Sequence, residues 1–390
     1  MSRNKGANLF NLKLLNQLQI RRVIYYNGPL TRQQIADELG VSLPTVTTNI
    51  AAMIADGLLT EYEEQPLSSQ VGRRPQLVDF NADARYAVGL EFGPYGAFGC
   101  ITNLRGKIIY KKELSSPSRN YERMLMDVST QCQMMIRESK VPPHQVLGIG
   151  VGFPGFIDSR RGTVRTGLYS SWADRELADD LRKHTYLPVW IDNNARMRTY
   201  WREMFSGRDT PSTFVYLFVS KGIACPLMIK NDILAGKHAS AGEIGHTTIL
   251  PGGPICPTCG RKGCLESLSS EAAILAQVRD ALGQDKGWDI HKVLLAQRQK
   301  NRTVCQIVKQ AVGYLGLAAA NIFNFISPNL LSIDGLIFEN EENRKELIEV
   351  VKNNLFGLSI DEANIEFLPH DPYSGASGAA ALVVRKSLLS

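Results

Sequence analysis

Along residues 10–25 (FNLKLLNQLQIRRVIY) apolar side chains recur at helical spacing, with Leu14, Leu15, Leu18, Ile20, Val23 and Ile24 forming the stripe. Gly28 and Pro29 break it. Thr31 then offers an N-cap hydroxyl and Gln34 completes a capping box, predicting a helix that runs through Leu39. Gly40 suits the left-handed conformation at a helix end, and a further helix is expected from Leu43 to Asp56, with Pro44 tolerated in its first turn. Residues 60–80 read as a β-hairpin with a Ser- and Gly-containing tip. From Tyr86 the texture becomes α/β. Strands are expected at 86–92 (YAVGLEF), 97–103 (AFGCITN) and 107–115, a helix over 121–138, and a buried strand at 147–153 (LGIGVGF). A long apolar helix at 303–326, with small residues Gly313, Gly316 and Ala318–Ala320, reads as core, or else as a close-packed helix interface.

Helix, glycine turn and helix make a helix-turn-helix, whose second helix enters the major groove. Ile35, Ala36, Leu39, Val41, Val46, Ile50 and Ile54 supply a small core. Thr45, Thr47, Thr48 and Asn49 are expected on the opposite, polar face, able to bond phosphates or base edges. Thr31, Arg32, Ser42 and Pro44 flank the turn and complete the candidate DNA-binding set. The hairpin would be a wing. Its Gly72-Arg73-Arg74-Pro75 stretch holds two guanidinium groups that can enter a minor groove or clamp phosphates, or serve simply as a solvated interdomain linker.

Composition adds limits. A chain of 390 residues is longer than one usual domain, and its 44% hydrophobic and 21% charged residues are those of an ordinary globular protein. The net charge of +6 permits nucleic-acid binding without establishing it. No apolar run is long enough for a membrane span and the N-terminus lacks a secretory pattern, so a cytoplasmic protein is expected. In a reducing compartment, the cluster Cys256, Cys259 and Cys264 points to metal in place of disulfides. With His246 ten residues upstream, it supplies four ligands at a spacing suited to tetrahedral zinc.

Three segments carry a resemblance. Gly150-Val151-Gly152-Phe153-Pro154-Gly155-Phe156-Ile157-Asp158 resembles the sugar-side loop of the ROK family (repressors, open reading frames and kinases). Gly242-Glu243-Ile244-Gly245-His246 followed by Cys256, Cys259, Cys264 and Glu266 resembles its signature, and Ser374–Ala380 resembles its closing segment. The likeness runs from about residue 85 to the end, and the helix-turn-helix is similar to that of the family's regulator branch. It implies a winged helix-turn-helix domain at 1–80 and an α/β actin-like (ribonuclease-H-like) two-lobed sugar-kinase fold at 81–390. Lobe 1 would comprise about 85–195 plus the C-terminal helix 375–390, and lobe 2 about 196–374. It also implies a structural Zn2+ on His246, Cys256, Cys259 and Cys264. Sugar contacts would come from Gly155, Asn193, Asn194, Glu243, His246 and Glu266. Tyr169 and Trp172 would be either stacking surface or plain core. One departure concerns the knuckle, where the family usually has one residue between its first two cysteines and this chain has Pro257 and Thr258.

Others concern catalysis. The family's kinases carry an aspartate base where this chain has Asn194, within Asp192-Asn193-Asn194-Ala195-Arg196. An amide cannot accept the sugar proton. Their first phosphate loop, Asp-x-Gly-Gly-Thr, is replaced by Glu91-Phe92-Gly93-Pro94-Tyr95-Gly96, and Pro94 offers no amide donor. The second becomes Ser220–Pro226, with one glycine, and the third is reduced to Asp334-Gly335-Leu336. The resemblance thus implies a sugar-responsive transcriptional regulator, most simply a repressor. It would bind double-stranded operator DNA as a homodimer or homotetramer, with the linker around 72–85 re-aimed by the sugar. The alternatives are a residual sugar kinase and a regulator controlled by a protein partner.

Overall fold

The structure, a computed structural model, describes residues 3–63, 75–167, 170–283 and 287–390. The N-terminal unit is built from α1 (Arg3–Asn27), β1 (Leu30–Thr31), α2 (Arg32–Leu39), α3 (Leu43–Ala55), β2 (Leu59–Glu63) and β3 (Gln76–Phe80). The caps act as their chemistry requires. Thr31 and Gln34 form a reciprocal capping box, Gly40 closes α2 at φ 62°, and Ser42 caps α3 with Pro44 in its first turn. The strands form an antiparallel sheet in the order β1-β3-β2, with Leu59 opposite Phe80. Ile20, Ile24, Ile35, Val46, Ile50, Val78 and Phe80 are buried between helices and sheet. Arg73 and Arg74 lie outside the described residues.

The remainder holds two sheets. The first takes β4 (Tyr86–Gly93), β5 (Gly96–Asn103) and β6 (Ile108–Leu114), then α4 (Tyr121–Ser139) and β7 (Val146–Phe153). A hairpin of β8 (Gly155–Asp158) and β9 (Thr163–Gly167), then α5 (Leu177–Thr185), β10 (Val189–Asn193) and α6 (Asn194–Met204) follow. Its order is β10-β7-β4-β5-β6, parallel through β10, β7 and β4 and antiparallel beyond. The second sheet uses β11 (Thr213–Val219), β12 (Ile223–Ala224), β13 (Leu227–Ile229) and β14 (Asp232–Ile233). Helices α7 (Leu265–Ser269), α8 (Glu271–Leu282), α9 (Ile290–Arg298) and α10 (Arg302–Ile326) lead to β15 (Leu330–Asp334). Then come α11 (Glu341–Asn354), β16 (Ile365–Phe367) and α12 (Ser374–Leu388), and β11, β15 and β16 run parallel. The expected helix at 303–326 is α10, whose Val308, Val312, Leu315 and Phe323 fill the core beneath this sheet.

Helix α12 returns to the first sheet, and its small residues explain how. A Cβ on Gly89 would meet the Ala376 carbonyl oxygen at 1.9 Å, one on Gly150 that of Ala379 at 2.0 Å, and one on Gly378 that of Met197 at 1.7 Å. Backbones therefore touch where side chains would normally intervene.

Over its described residues, 75–85, the expected linker is not a free tether. Residues 76–80 are strand β3, and beyond it Leu104 N–H bonds the Ala82 carbonyl at 2.9 Å while Asn103 Nδ2 bonds Asp83 at 2.8 Å. Val383, Val384 and Leu388 of α12 pack in one cluster with Ile20, Ile24 and Phe80, so the N-terminal unit is fastened to the body by apolar contact as well.

Candidate functional site

The candidate DNA-reading helix is α3. Ser42, Pro44 and Thr48 are exposed and Thr45 and Thr47 half-buried. The Ser42 and Thr45 hydroxyls pair at 2.8 Å, and Thr48 donates to the Pro44 carbonyl at 2.9 Å. Asn49 corrects the expectation for this face. It is buried, with Nδ2 donating to the Thr45 carbonyl at 2.8 Å, because its position on the helix turns it toward Ile50 and Val46. Arg32 is paired with Glu61 at 2.9 Å, bracing α2 against the wing strand β2. Thr31 is spent as the cap of α2.

The second candidate site lies where parallel strands end, the place at which open α/β sheets bind ligands. Strands β4, β7, β10 and β11 stop at Gly93, Phe153, Asn193 and Val219, and the residues just beyond them wall a cleft of about 590 Å³. Gly155, Asn193, Asn194, Glu243, His246 and Glu266 all line it. Asn193 Nδ2 donates to the Gly155 carbonyl at 2.9 Å, tying the end of β10 to β8. Gly155 sits at φ 108°, a conformation that favours glycine. Burial pushes the Glu243 carboxyl up, against the pull of His246. Phe156, Phe218, Ser220, Lys221 and Thr258 also line the cleft, and none of them was expected as a sugar contact. For Thr258 a signal existed, since it is one of the two residues in the lengthened knuckle. Its hydroxyl donates to Glu266 Oε1 at 2.6 Å while Ile223 N–H holds Oε2 at 3.2 Å. Trp172, by contrast, is core, stacked edge-on against Phe153. Tyr169 lies outside the described residues.

Beside the cleft, the ligand atoms of His246, Cys256, Cys259 and Cys264 lie within 4.8 Å of one another. His246 Nδ1 is 3.8 Å from Cys256 Sγ, and the Cys259 and Cys264 sulfurs are 3.5 Å apart. Tetrahedral Zn–S bonds of about 2.3 Å require sulfurs roughly 3.8 Å apart, so the donor set fits such an ion. Cys256, despite the extra residue, belongs to the group. Backbone and side-chain donors of Arg261 pull the Cys259 thiol down to about 6, toward the thiolate a metal requires.

Behind the cleft, the segments at the phosphate-loop positions are joined by a buried charge network. Glu91, in the first phosphate-loop segment, is buried and receives both Arg198 Nε at 3.2 Å and Nη2 at 3.0 Å. Arg198 Nη1 reaches Asp334, in the third segment, at 3.3 Å. Tyr216 donates to Asp334 at 2.8 Å, and the guanidinium lies over the Phe218 ring at 4.6 Å. Burial alone would raise the Asp334 carboxyl, but His370 and Arg198 hold it below the usual range. Tyr95, beside Pro94, stacks edge-on with His370 and bonds Glu271 at 2.8 Å. Asn194 is buried at the head of α6, and Asp192 is turned away from the cleft onto Arg196 at 3.2 Å.

These features define a sugar-kinase-like α/β fold that carries a winged helix-turn-helix. Residues 87–386 match the ROK family and residues 13–60 the winged helix-turn-helix DNA-binding family, and the chain belongs to the ROK family. It is 27% identical to the xylose repressor of Bacillus subtilis over 332 residues, 84% of each chain. Its fold is similar to that of a ROK family transcriptional regulator, a homologue of the Escherichia coli Mlc protein (TM-score 0.83, 19% identity, covering 97% of this chain and 98% of the other). The ROK hexokinase of Thermus thermophilus matches with TM-score 0.65 and 25% identity over 76% of this chain and 97% of the other.

Proposed function

We propose that this chain is a sugar-responsive repressor, in which a winged helix-turn-helix binds operator DNA and a kinase-like cleft that no longer transfers phosphate senses the sugar. The observation that carries the reading is the convergence of Gly155, Asn193, Asn194, Glu243, His246 and Glu266 on one cleft, in the same chain as the DNA-reading unit. Carboxylates accept two hydroxyl bonds each and amides both donate and accept, which suits a neutral sugar. The xylose repressor of B. subtilis is named for such a sugar, and D-xylose is the first candidate.

His246, Cys256, Cys259 and Cys264 would hold a zinc ion. A closed four-ligand site is structural. Its contribution is to fix the chain between Glu243 and Glu266 around the cleft. With Nδ1 facing the cysteines, His246 keeps Nε2 for a sugar hydroxyl. The reading of lost phosphoryl transfer is supported by Asn194, which cannot take a proton. It is supported also by Arg198, whose charge sits between Glu91 and Asp334, in two of the segments that resemble phosphate loops. Thr45, Thr47 and Thr48 on α3 would read the major groove, with Arg73 and Arg74 on the wing. Paired copies would span half-sites about 34 Å apart, the repeat of one helical turn.

The test is a thermal-shift screen of the metal-loaded protein against neutral mono- and disaccharides, beginning with D-xylose. A sugar at one hundred times its Kd adds about 2.7 kcal/mol of stability. The same sugar should lower affinity for operator DNA and support no ATP hydrolysis. A flat screen on folded protein overturns the sugar reading, and sugar-dependent ATP hydrolysis overturns the loss of catalysis.

A further inference from the structure

Helix α6 runs between the cleft and the DNA-reading unit. Its N-cap, Asn193, lines the cleft, and Asn194 at its first position does the same. Glu203, one residue from its other end, lies roughly 14 Å along the axis at 1.5 Å per residue. There Glu203 Oε1 accepts from the Tyr26 hydroxyl at 3.1 Å and from Arg385 Nη1 at 3.0 Å, while Arg385 itself bonds the Tyr26 oxygen at 3.1 Å. Tyr26 is the penultimate residue of α1, and Ile20, Ile24 and Tyr25 of that helix belong to the cluster shared with the winged unit. One helix thus touches the sugar cleft with its first turn and the DNA-reading unit with its last.

The helix is held as one rigid element. Asn194–Tyr200, Arg202 and Glu203 are all buried. Arg196, Arg198 and Arg202 fasten it to Asp192, to Glu91 and Asp334, and to Glu366 respectively. Gly378 of α12 lies directly against its backbone at Met197. A displacement at one end of so enclosed an element cannot be absorbed locally, because packed interiors shift between discrete arrangements and do not deform smoothly.

The winged unit is also held at a second point that does not involve α6. Tyr25 donates to the Leu104 carbonyl at 3.0 Å, Arg105 Nη1 donates to the Tyr25 carbonyl at 2.7 Å, and Arg105 pairs with Asp79 on β3. Leu104 and Arg105 lie in the turn between β5 and β6. A body held at this turn and displaced at the α6 end, where Val383, Val384 and Leu388 of α12 also pack against it, must rotate. The Glu203 contact has the character of one that is remade: its Oε2 is buried without a partner among the described residues, and a half-satisfied buried carboxyl group is a costly arrangement.

We propose that α6 is the rod that carries the sugar signal, with Glu203 on Tyr26 as the lever and the Leu104–Arg105 turn as the pivot. Closure of the cleft on Asn193 and Asn194 displaces the helix, and the winged unit turns about the pivot. This rests on the sugar-sensing reading above and assigns its route.

Amide hydrogen exchange on the full-length, metal-loaded chain tests it, with D-xylose, D-glucose and N-acetyl-D-glucosamine as probes. In the wild type, a probe that changes exchange in 193–204 should also change it in 20–30 and 76–84, by about 5-fold or more if coupling has its usual size. Tyr26→Phe keeps the ring and removes the hydroxyl. It should keep the response at the cleft and lose that at 20–30 and 76–84, and an unchanged thermal shift with the probe shows that it folds and binds. Glu203→Gln should weaken the distant response in the same direction. An undiminished distant response in Tyr26→Phe overturns the route. So does a wild-type cleft that responds while the winged unit does not, and sugar sensing then stands. If no probe alters the cleft, the sugar reading itself fails and the route falls with it.

Discussion

Asn194 differs from aspartate by one group, an amide nitrogen in place of a carboxylate oxygen, and the substitution Asn194→Asp separates two explanations for the loss of catalysis proposed above. Were the missing base the whole cause, restoring it would recover on the order of 10²–10⁴ in rate. The Arg198 guanidinium bound to Glu91 and Asp334 argues otherwise, because it ties together two of the segments that resemble phosphate loops. Asn194→Asp is therefore expected to leave sugar phosphorylation undetectable in a coupled assay while sugar binding persists. Glu243→Gln probes the opposite side of the cleft. It keeps the shape and removes the charge, so the cost is that of weakened hydroxyl bonds, about 1–3 kcal/mol. By calorimetry the sugar Kd should rise roughly 5- to 150-fold at that cost, with the melting temperature of the free protein little changed. An unaltered Kd would remove Glu243 from the site.

At the scale of elements, the knuckle and α12 make separate demands. Cys256→Ser removes one of four donors, and the expected result is loss of stoichiometric zinc by elemental analysis together with a lower melting temperature. Treatment of the wild type with a strong chelator should lower it likewise, and a melting temperature indifferent to both would deny the metal a structural role. In α12, a methyl on Gly378 would overlap the Met197 carbonyl, and Gly378→Ala is expected to destabilise by about 1–3 kcal/mol in urea denaturation, as overpacking does. These elements also mark what could be read in advance. The capping box of Thr31 and Gln34, the left-handed Gly40 and the strands at 86–92 and 147–153 depend on neighbours within a few positions, and local chemistry determined them. Asn49 was misplaced because each residue turns a helix by about 100°, which carries one side chain in a polar run inward. The Arg198 network was invisible for a different reason. Its partners Glu91 and Asp334 stand 107 and 136 residues away, and an arginine in a polar stretch reads as surface until the fold joins the two sheets. The lengthened knuckle was visible as a departure, but only the folded chain puts Thr258 on Glu266.

For the whole molecule, the buried acids that join its parts set the pH dependence of its stability. Glu203 ties the body to the winged unit and Glu271 ties α8 to Tyr95, and burial pushes each carboxyl from 4.5 up to about 7. Between those values the folded chain holds protons that the unfolded chain has released. The contribution of each acid is fully present below about pH 4.5 and is lost as pH rises through about 7. At 1.36 kcal/mol per pKa step, a rise of that size corresponds to on the order of 3 kcal/mol for each. Burial raises Glu91 and Asp192 too, which adds to the trend, whereas Asp334 is lowered and acts only below its ordinary range near pH 3.8. The urea midpoint should therefore fall as pH rises from 5 toward 8. Glu271→Gln keeps an acceptor for the Tyr95 hydroxyl but cannot ionise, so its midpoint should fall less over the same interval and exceed that of the wild type at pH 8. Parallel curves for the two proteins would mean that Glu271 is charged throughout. The junction between α8 and the Tyr95 loop would then be held by an ion and not by a neutral acid.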